Sequence, residues 1–393
     1  MSLESPQQPC HLEFSDLRGA FDSVREILLA NTVMASEIPS PTFGEDAAVR
    51  YLHDRFNEAG LIDVSRDEAG SVAAVLPGAT GERNILVSAH VDKIWPAKED
   101  HTISVTTDSM SGRGVADNSL GVAVLASLPI LLEKLGIRFG SNLILLGNTC
   151  SFGRGDLRGM RFFLENARKT IDSAICLEGI QLGRLSYSSL GMFRAEIEVT
   201  IPETEEWEGL GQVSAIATLN RIIDGILAIE RPERPKTAIL LGSVEAGSGY
   251  NVPPSSGRLR FEVRSENAEV VEKIRARIED IVEEARDMDQ CEVGLDIVAQ
   301  RAPGDIGFDH PLVREARRIL KDLDIKTRIA PSISELSALL DKGIPALTVG
   351  VTYGDNRHDP DETIDIEPIG KGLAQVLALL QFMDKSPDCI AQT

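Results

Sequence analysis

Two histidines in this 393-residue chain stand at the ends of apolar runs with carboxylates close by. In "NILVSAHVD", His90 closes such a run and Asp92 follows two residues later. Imidazole is the commonest ligand of transition metals, and a carboxylate that near can hold the other ring nitrogen and so fix tautomer and basicity. A polar pair at a strand end is the other reading. In "NRHDPDETI", His358 lies in a polar loop behind the apolar "ALTVGV". Two carboxylates extend the set. Asp117, in "GRGVADNSLG", precedes an apolar helix, where an N-terminal cap and a metal ligand are both open readings. Glu178, in "DSAICLEG", ends another apolar run, the place where open α/β sheets bind their ligands.

The elements needed to bring these residues together are visible as patterns. "FSDLRGAFDSVREILLA" and "GEDAAVRYLHDRFNEAG" place apolar residues at helical spacing. "SVAAVLP", "NILVSAHVD", "NLILLGN" and "SAICLEG" read as buried strands, the later ones separated by helical segments. That alternation predicts an α/β sheet covered on both faces. Residues 190–300 differ. "FRAEIEVTI", "GQVSAIATLNRIIDGILAIE", "TAILLGSVEA", "GRLRFEVRS", "NAEVVEKIRARIEDIVEEARDM" and "CEVGLDIVAQ" give β-α-β-β-α-β, the ferredoxin-like α+β unit. The α/β rhythm then resumes, so residues 1–189 and 301–393 are expected to form one discontinuous domain around an insertion.

Composition narrows the partners. A net charge of −21 repels nucleic acid and anionic membrane surfaces. Five widely spaced cysteines without a CxxC fit reduced thiols and a cytoplasmic protein. No signal-peptide pattern opens the chain. "GVAVLASLPILLEKLG" reaches a Glu-Lys pair too soon to span a bilayer and reads as a buried helix. Cys150 has no histidine near it in sequence and reads as a buried strand-end thiol.

In order and spacing, "SAHVD", "GRGVADNSLG", "DSAICLEG", "SGYNVPPSSGRLRFEVR" and "GIPALTVGV...HDPDETI" resemble the M20 family of metallopeptidases and deacylases, over nearly the whole chain. The resemblance implies a zinc-exopeptidase-like α/β domain with an inserted lid or dimerisation domain. It also implies hydrolysis of an amide or peptide bond in a small peptide or N-acylated amino-acid-like substrate, and a homodimer formed through the insertion. Such proteins hold two metal ions, usually zinc, on a shared Asp. By that resemblance Asp117 is the bridge, His90 and Glu178 complete one metal site with Asp92 orienting His90, and His358 serves the second. Asn251 and Arg264 match positions that contact the substrate's polar end, although a solvated strand-face charge accounts for Arg264 equally well.

The chain departs from the family at "LGNTCSFGRGDLRGM". Family members carry Glu-Glu a few residues before Gly-Ala, the first as general base and the second as ligand of the second metal. Counting back from Gly159-Met160 lands on Gly153 and Arg154. Glycine moves no proton, and a guanidinium offers a metal no lone pair. With Asp92, Asp117 and Glu178 ionised and Arg154 inward, the local charge is −3 + 1 = −2, which one divalent ion neutralises. The expectations are therefore at most one zinc ion, Arg154 near His358 in the second ion's place, and Asp156 as a substitute base. The alternative is a catalytically inactive member whose arginines hold a carboxylate-bearing ligand.

Overall fold

The computed structural model describes residues 10–17, 19–201, 214–250, 254–289 and 291–386. The chain folds as two compact units, Met1–Ser189 with Asp305–Thr393, and Leu190–Gly304.

The first unit is built on an eight-stranded sheet. At its centre Asn142–Asn148, Asn84–His90, Ser173–Ile180 and Ala346–Thr352 lie side by side and parallel, nearly all of their residues buried. Unbroken apolar runs of this kind are required when helices cover both faces. One face packs on the helices Ala20–Glu37, Leu120–Leu135 and Ile369–Lys385, the other on Arg158–Asn166 and Leu336–Asp341. Leu120–Leu135 is apolar on every side because it is a core helix, and among the described residues its segment is the one long and apolar enough to cross a membrane by composition. Register sets the site. Ser88 pairs with Cys176 and His90 with Asn148, while Glu178 pairs with Gly350, so His90, Asn148 and Glu178 reach the same C-terminal edge of the sheet.

Lys93, just past that edge, ties the exit of the His90 strand to the end of a helix. Its Nζ donates to the carbonyls of Ala35, Ser36 and Ile38 at 2.7, 2.8 and 2.7 Å. These carbonyls end the helix Ala20–Glu37, where acceptors have no partner within the helix.

The second unit is a four-stranded antiparallel sheet in the order Thr237–Ala246, Ser256–Ser265, Gly191–Thr200, Glu292–Arg301. That is the ferredoxin-like arrangement, with Ala215–Leu227 and Ala268–Asp289 packed on the apolar side of the sheet. On Ser256–Ser265, buried Leu259, Phe261 and Val263 alternate with Arg258, Arg260, Glu262 and Arg264.

Replacing Lys93 by Met keeps the chain's bulk and leaves three carbonyls without their donor. Urea unfolding is expected to show roughly 2–4 kcal/mol lower stability, the sum of charge-assisted bonds lost and acceptors stranded.

Candidate metal centre

Asp117 lies in an irregular turn, Val115–Ser119, that feeds the helix Leu120–Leu135. Two side chains hold this turn against the sheet. Glu362, fully buried, accepts from Ala116 N at 3.0 Å and Asp117 N at 3.3 Å, and its other oxygen accepts from His358 N at 3.2 Å. Asn118 Nδ2 donates to Leu177 O at 2.8 Å. The turn comes so near the Glu178 strand that a Cβ on Gly179 would meet Ala116 O at 2.4 Å. Glycine there is a requirement of the close approach.

The result gathers three donor atoms, from His90, Asp117 and Glu178, within 4.8 Å of one another. His90 Nε2 is 3.1 Å from Asp117 Oδ1, and His358 Nε2 is 2.7 Å from Asp117 Oδ2. The Asp117 carboxylate thus stands between the two imidazoles. Its Oδ1 is buried and receives no well-directed hydrogen bond, an unused lone pair where a cation would use it. One imidazole and two carboxylates fit a single divalent ion, with zinc's usual donor types among them.

The outer oxygen of Asp117 meets a further cation. The guanidinium of Arg357 donates to Asp117 Oδ2 through Nε at 2.9 Å and through Nη2 at 2.7 Å, and Nη2 is 3.9 Å from Glu178 Oε2. The loop leaving the Asn148 strand brings Phe152 over the site. Its ring stands edge-on to His90 at 5.0 Å between centroids and 6.3 Å from that of His358.

The electrostatics follow from burial opposed by these partners. Burial works to raise the Asp117 carboxyl, but the hydrogen bond from His358, the nearby His90 imidazole and the charge of Arg357 hold it well below the usual range. Burial also opposes a charged His90, yet Asp117 and Asp92 keep its pKa well above the ordinary value. Glu178 goes the other way. Burial raises it, and Arg357 only partly offsets this. Burial likewise raises Glu362.

Several expected placements change in detail. Asp92 is buried beside His90, but Nδ1 of the imidazole lies 3.1 Å from the Asp92 main-chain carbonyl and 3.6 Å from its carboxylate. The other carboxylate oxygen accepts from Thr42 Oγ1, Ser151 N and Phe152 N at 2.8, 2.8 and 3.0 Å. Asp92 therefore fixes the loop as well as the ring. Gly153 and Arg154 are exposed, in a short turn beyond the residues that cover His90. Arg154, expected near His358, is exposed, and the guanidinium that reaches Asp117 is that of Arg357. Asp156 and Leu157 both take left-handed backbone between this turn and the helix Arg158–Asn166. Asp156 is half-buried and ion-paired with Arg161 at 3.2 Å. Arg264 pairs with Glu262 within its own sheet, and Asn251 lies outside the described residues. Burial pushes the Cys150 thiol up to about 11, which makes it a poor nucleophile.

Three residues near the centre had gone unassigned. Arg357 and Glu362 flank His358 in "NRHDPDETI", so their proximity to it was legible, but not which way they turn. Glu335 is buried, accepting from Asn148 Nδ2 at 2.9 Å and Ser151 Oγ at 2.5 Å. Nothing local in "SISELSALL" marks it.

The model of Peptidase family M20/M25/M40 matches residues 86–381. The chain belongs to this family. Among curated relatives it is similar to a [LysW]-lysine/[LysW]-ornithine hydrolase of Saccharolobus islandicus, 24% identical over 89% of this chain and 94% of the relative. Among solved structures it resembles the di-peptidase Dug1p of Saccharomyces cerevisiae, with a TM-score of 0.79 at 13% identity over 95% of this chain and 99% of the other. It also resembles Bacillus subtilis YXEP, a dinuclear metal binding peptidase of the M20 family, with a TM-score of 0.62 at 15% identity over 92% and 99%. These likenesses agree with the α/β fold carrying an inserted domain, and the donor set of the centre agrees with a metal-dependent family.

A depressed carboxyl pKa stabilises the fold above the unfolded-state value and loses that contribution as pH falls below it. For Asp117 the loss begins below about pH 4, the unfolded carboxyl range. Ion-free wild type is expected to lose unfolding free energy more steeply in acid than Asp117→Asn, as chemical denaturation at several pH values would show.

Proposed function

We propose that the chain hydrolyses an amide or peptide bond in a small substrate, using one zinc ion held by His90, Asp117 and Glu178. The observation that carries this reading is the convergence of those three donors at the C-terminal edge of the sheet. Membership of the family and the hydrolase relative supply the reaction class. A divalent ion in such a site polarises a carbonyl and activates water.

The protein's own residues do the rest. Asp92 and the Asp92 carbonyl hold the His90 ring, Glu362 holds the turn of Asp117, and Arg357 adds a permanent positive charge beside the donors. That charge is suited to a carboxylate or a carbonyl oxygen of a peptide or N-acylated amino acid. Replacing the family's glutamate pair removes a general base worth 10²- to 10⁴-fold in rate, so turnover slower than in two-glutamate members is part of the reading.

One observation favours a second reading. Phe152 covers His90 with an aromatic ring and carries no proton acceptor. An inactive family member that binds a carboxylate-bearing ligand through Arg357 would need nothing more.

Zinc loading followed by desalting and elemental analysis is expected to give about one ion per chain, falling towards zero in His90→Ala and Glu178→Ala. The loaded protein is expected to cleave some of a panel of dipeptides and N-acyl amino acids, with activity lost in the same variants. Binding of zinc without cleavage of any panel member would leave the ligand-binding reading standing. No zinc in the wild type would end the metal-dependent one.

A further inference from the structure

The outer oxygen of Asp117 has two partners of different kinds. His358 Nε2 reaches Oδ2 at 2.7 Å, and Arg357 reaches the same atom through Nε and Nη2. Nη2 is also within 3.9 Å of Glu178. Arg357 therefore places one positive charge between the two carboxylates of the centre and uses the lone pairs that a second ion would need. Asp117 and Glu178 together hold that charge in place. A guanidinium stays charged at any pH the protein meets and, unlike a bound ion, does not dissociate.

We infer that Arg357 is a built-in second cation, and that its charge keeps a second metal ion out of the place between Asp117 and His358. This deepens the reading that His90, Asp117 and Glu178 hold one ion. Two of the ligands of a second site are already in place, His358 Nε2 and Asp117 Oδ2. What is missing is a third donor, since Phe152 presents only a ring there, and the removal of a like charge that opposes any incoming divalent ion. A single substitution, Arg357→Glu, does both. The side chain is partly exposed in a loop.

The test is zinc per chain, by elemental analysis after loading and desalting at neutral pH, with circular dichroism to confirm folding. Wild type is expected to hold one ion and Arg357→Glu two. Adding His358→Ala to Arg357→Glu is expected to return the count to one. Two ions in the wild type would overturn the inference. So would a count of one in both Arg357→Glu and Arg357→His while each stays folded, or a count of two that survives loss of His358. The first-site reading fails separately. No ion in the wild type with one in Arg357→Glu would refute binding at His90, Asp117 and Glu178, yet would uphold exclusion by Arg357.

Discussion

The centre depends on a single buried carboxylate. Asp117 is 3% exposed, and two imidazoles and a guanidinium converge on its two oxygens. An ion so far from water costs several kcal/mol unless every lone pair finds a partner. Hence the structure around it is arranged to hold the backbone still. Glu362 receives the two main-chain N–H groups of the turn, Asn118 bonds to the neighbouring strand, and Gly179 lets the turn approach. Glu362 also receives His358 N, so one carboxylate sets the positions of both Asp117 and the second imidazole. The two halves of the centre, 240 residues apart in sequence, are registered by that one side chain.

A second carboxylate works in the same manner on the other side. Asp92 gathers a threonine hydroxyl and the N–H groups of Ser151 and Phe152, which fastens the loop after Asn148 over His90. Glu335 adds Asn148 and the Ser151 hydroxyl. Neutral donors satisfy these buried anions without cancelling their charge. The carboxylates around the centre therefore keep their oxygens turned to donors, and Arg357 sets a positive charge among them. That loop brings the Ser151 hydroxyl and the Phe152 ring to the centre. Around it Asp92, Glu335 and Glu362 are each committed to holding a neighbour.

The strands and helices of both units were legible because burial on two faces demands unbroken apolar runs, and burial on one face demands alternation. His90, Asp117, Glu178 and His358 could be picked out for a related reason. A polar residue ending an apolar run is locally conspicuous, and in an α/β sheet such ends share an edge. The placing of Arg154 shows the limit of that logic. Counting along a loop assumes a uniform path, whereas Asp156 and Leu157 take left-handed backbone and carry Gly153 and Arg154 out to solvent.

The sequence by itself determined the fold class, the insertion of one α+β unit within an α/β unit, and which residue types were available to bind a cation. Only tertiary structure decided which arginine meets Asp117, because Arg154 and Arg357 are chemically identical and both adjoin plausible site residues. The choice lies with the direction of two loops. One is fixed by hydrogen bonds to Asp92 from residues 59 and 60 positions away, the other by Glu362 reaching back to Asp117 across 245. Bonds of that span leave no periodic trace in a chain, since each needs only one donor and one acceptor brought together by the packing of everything between them.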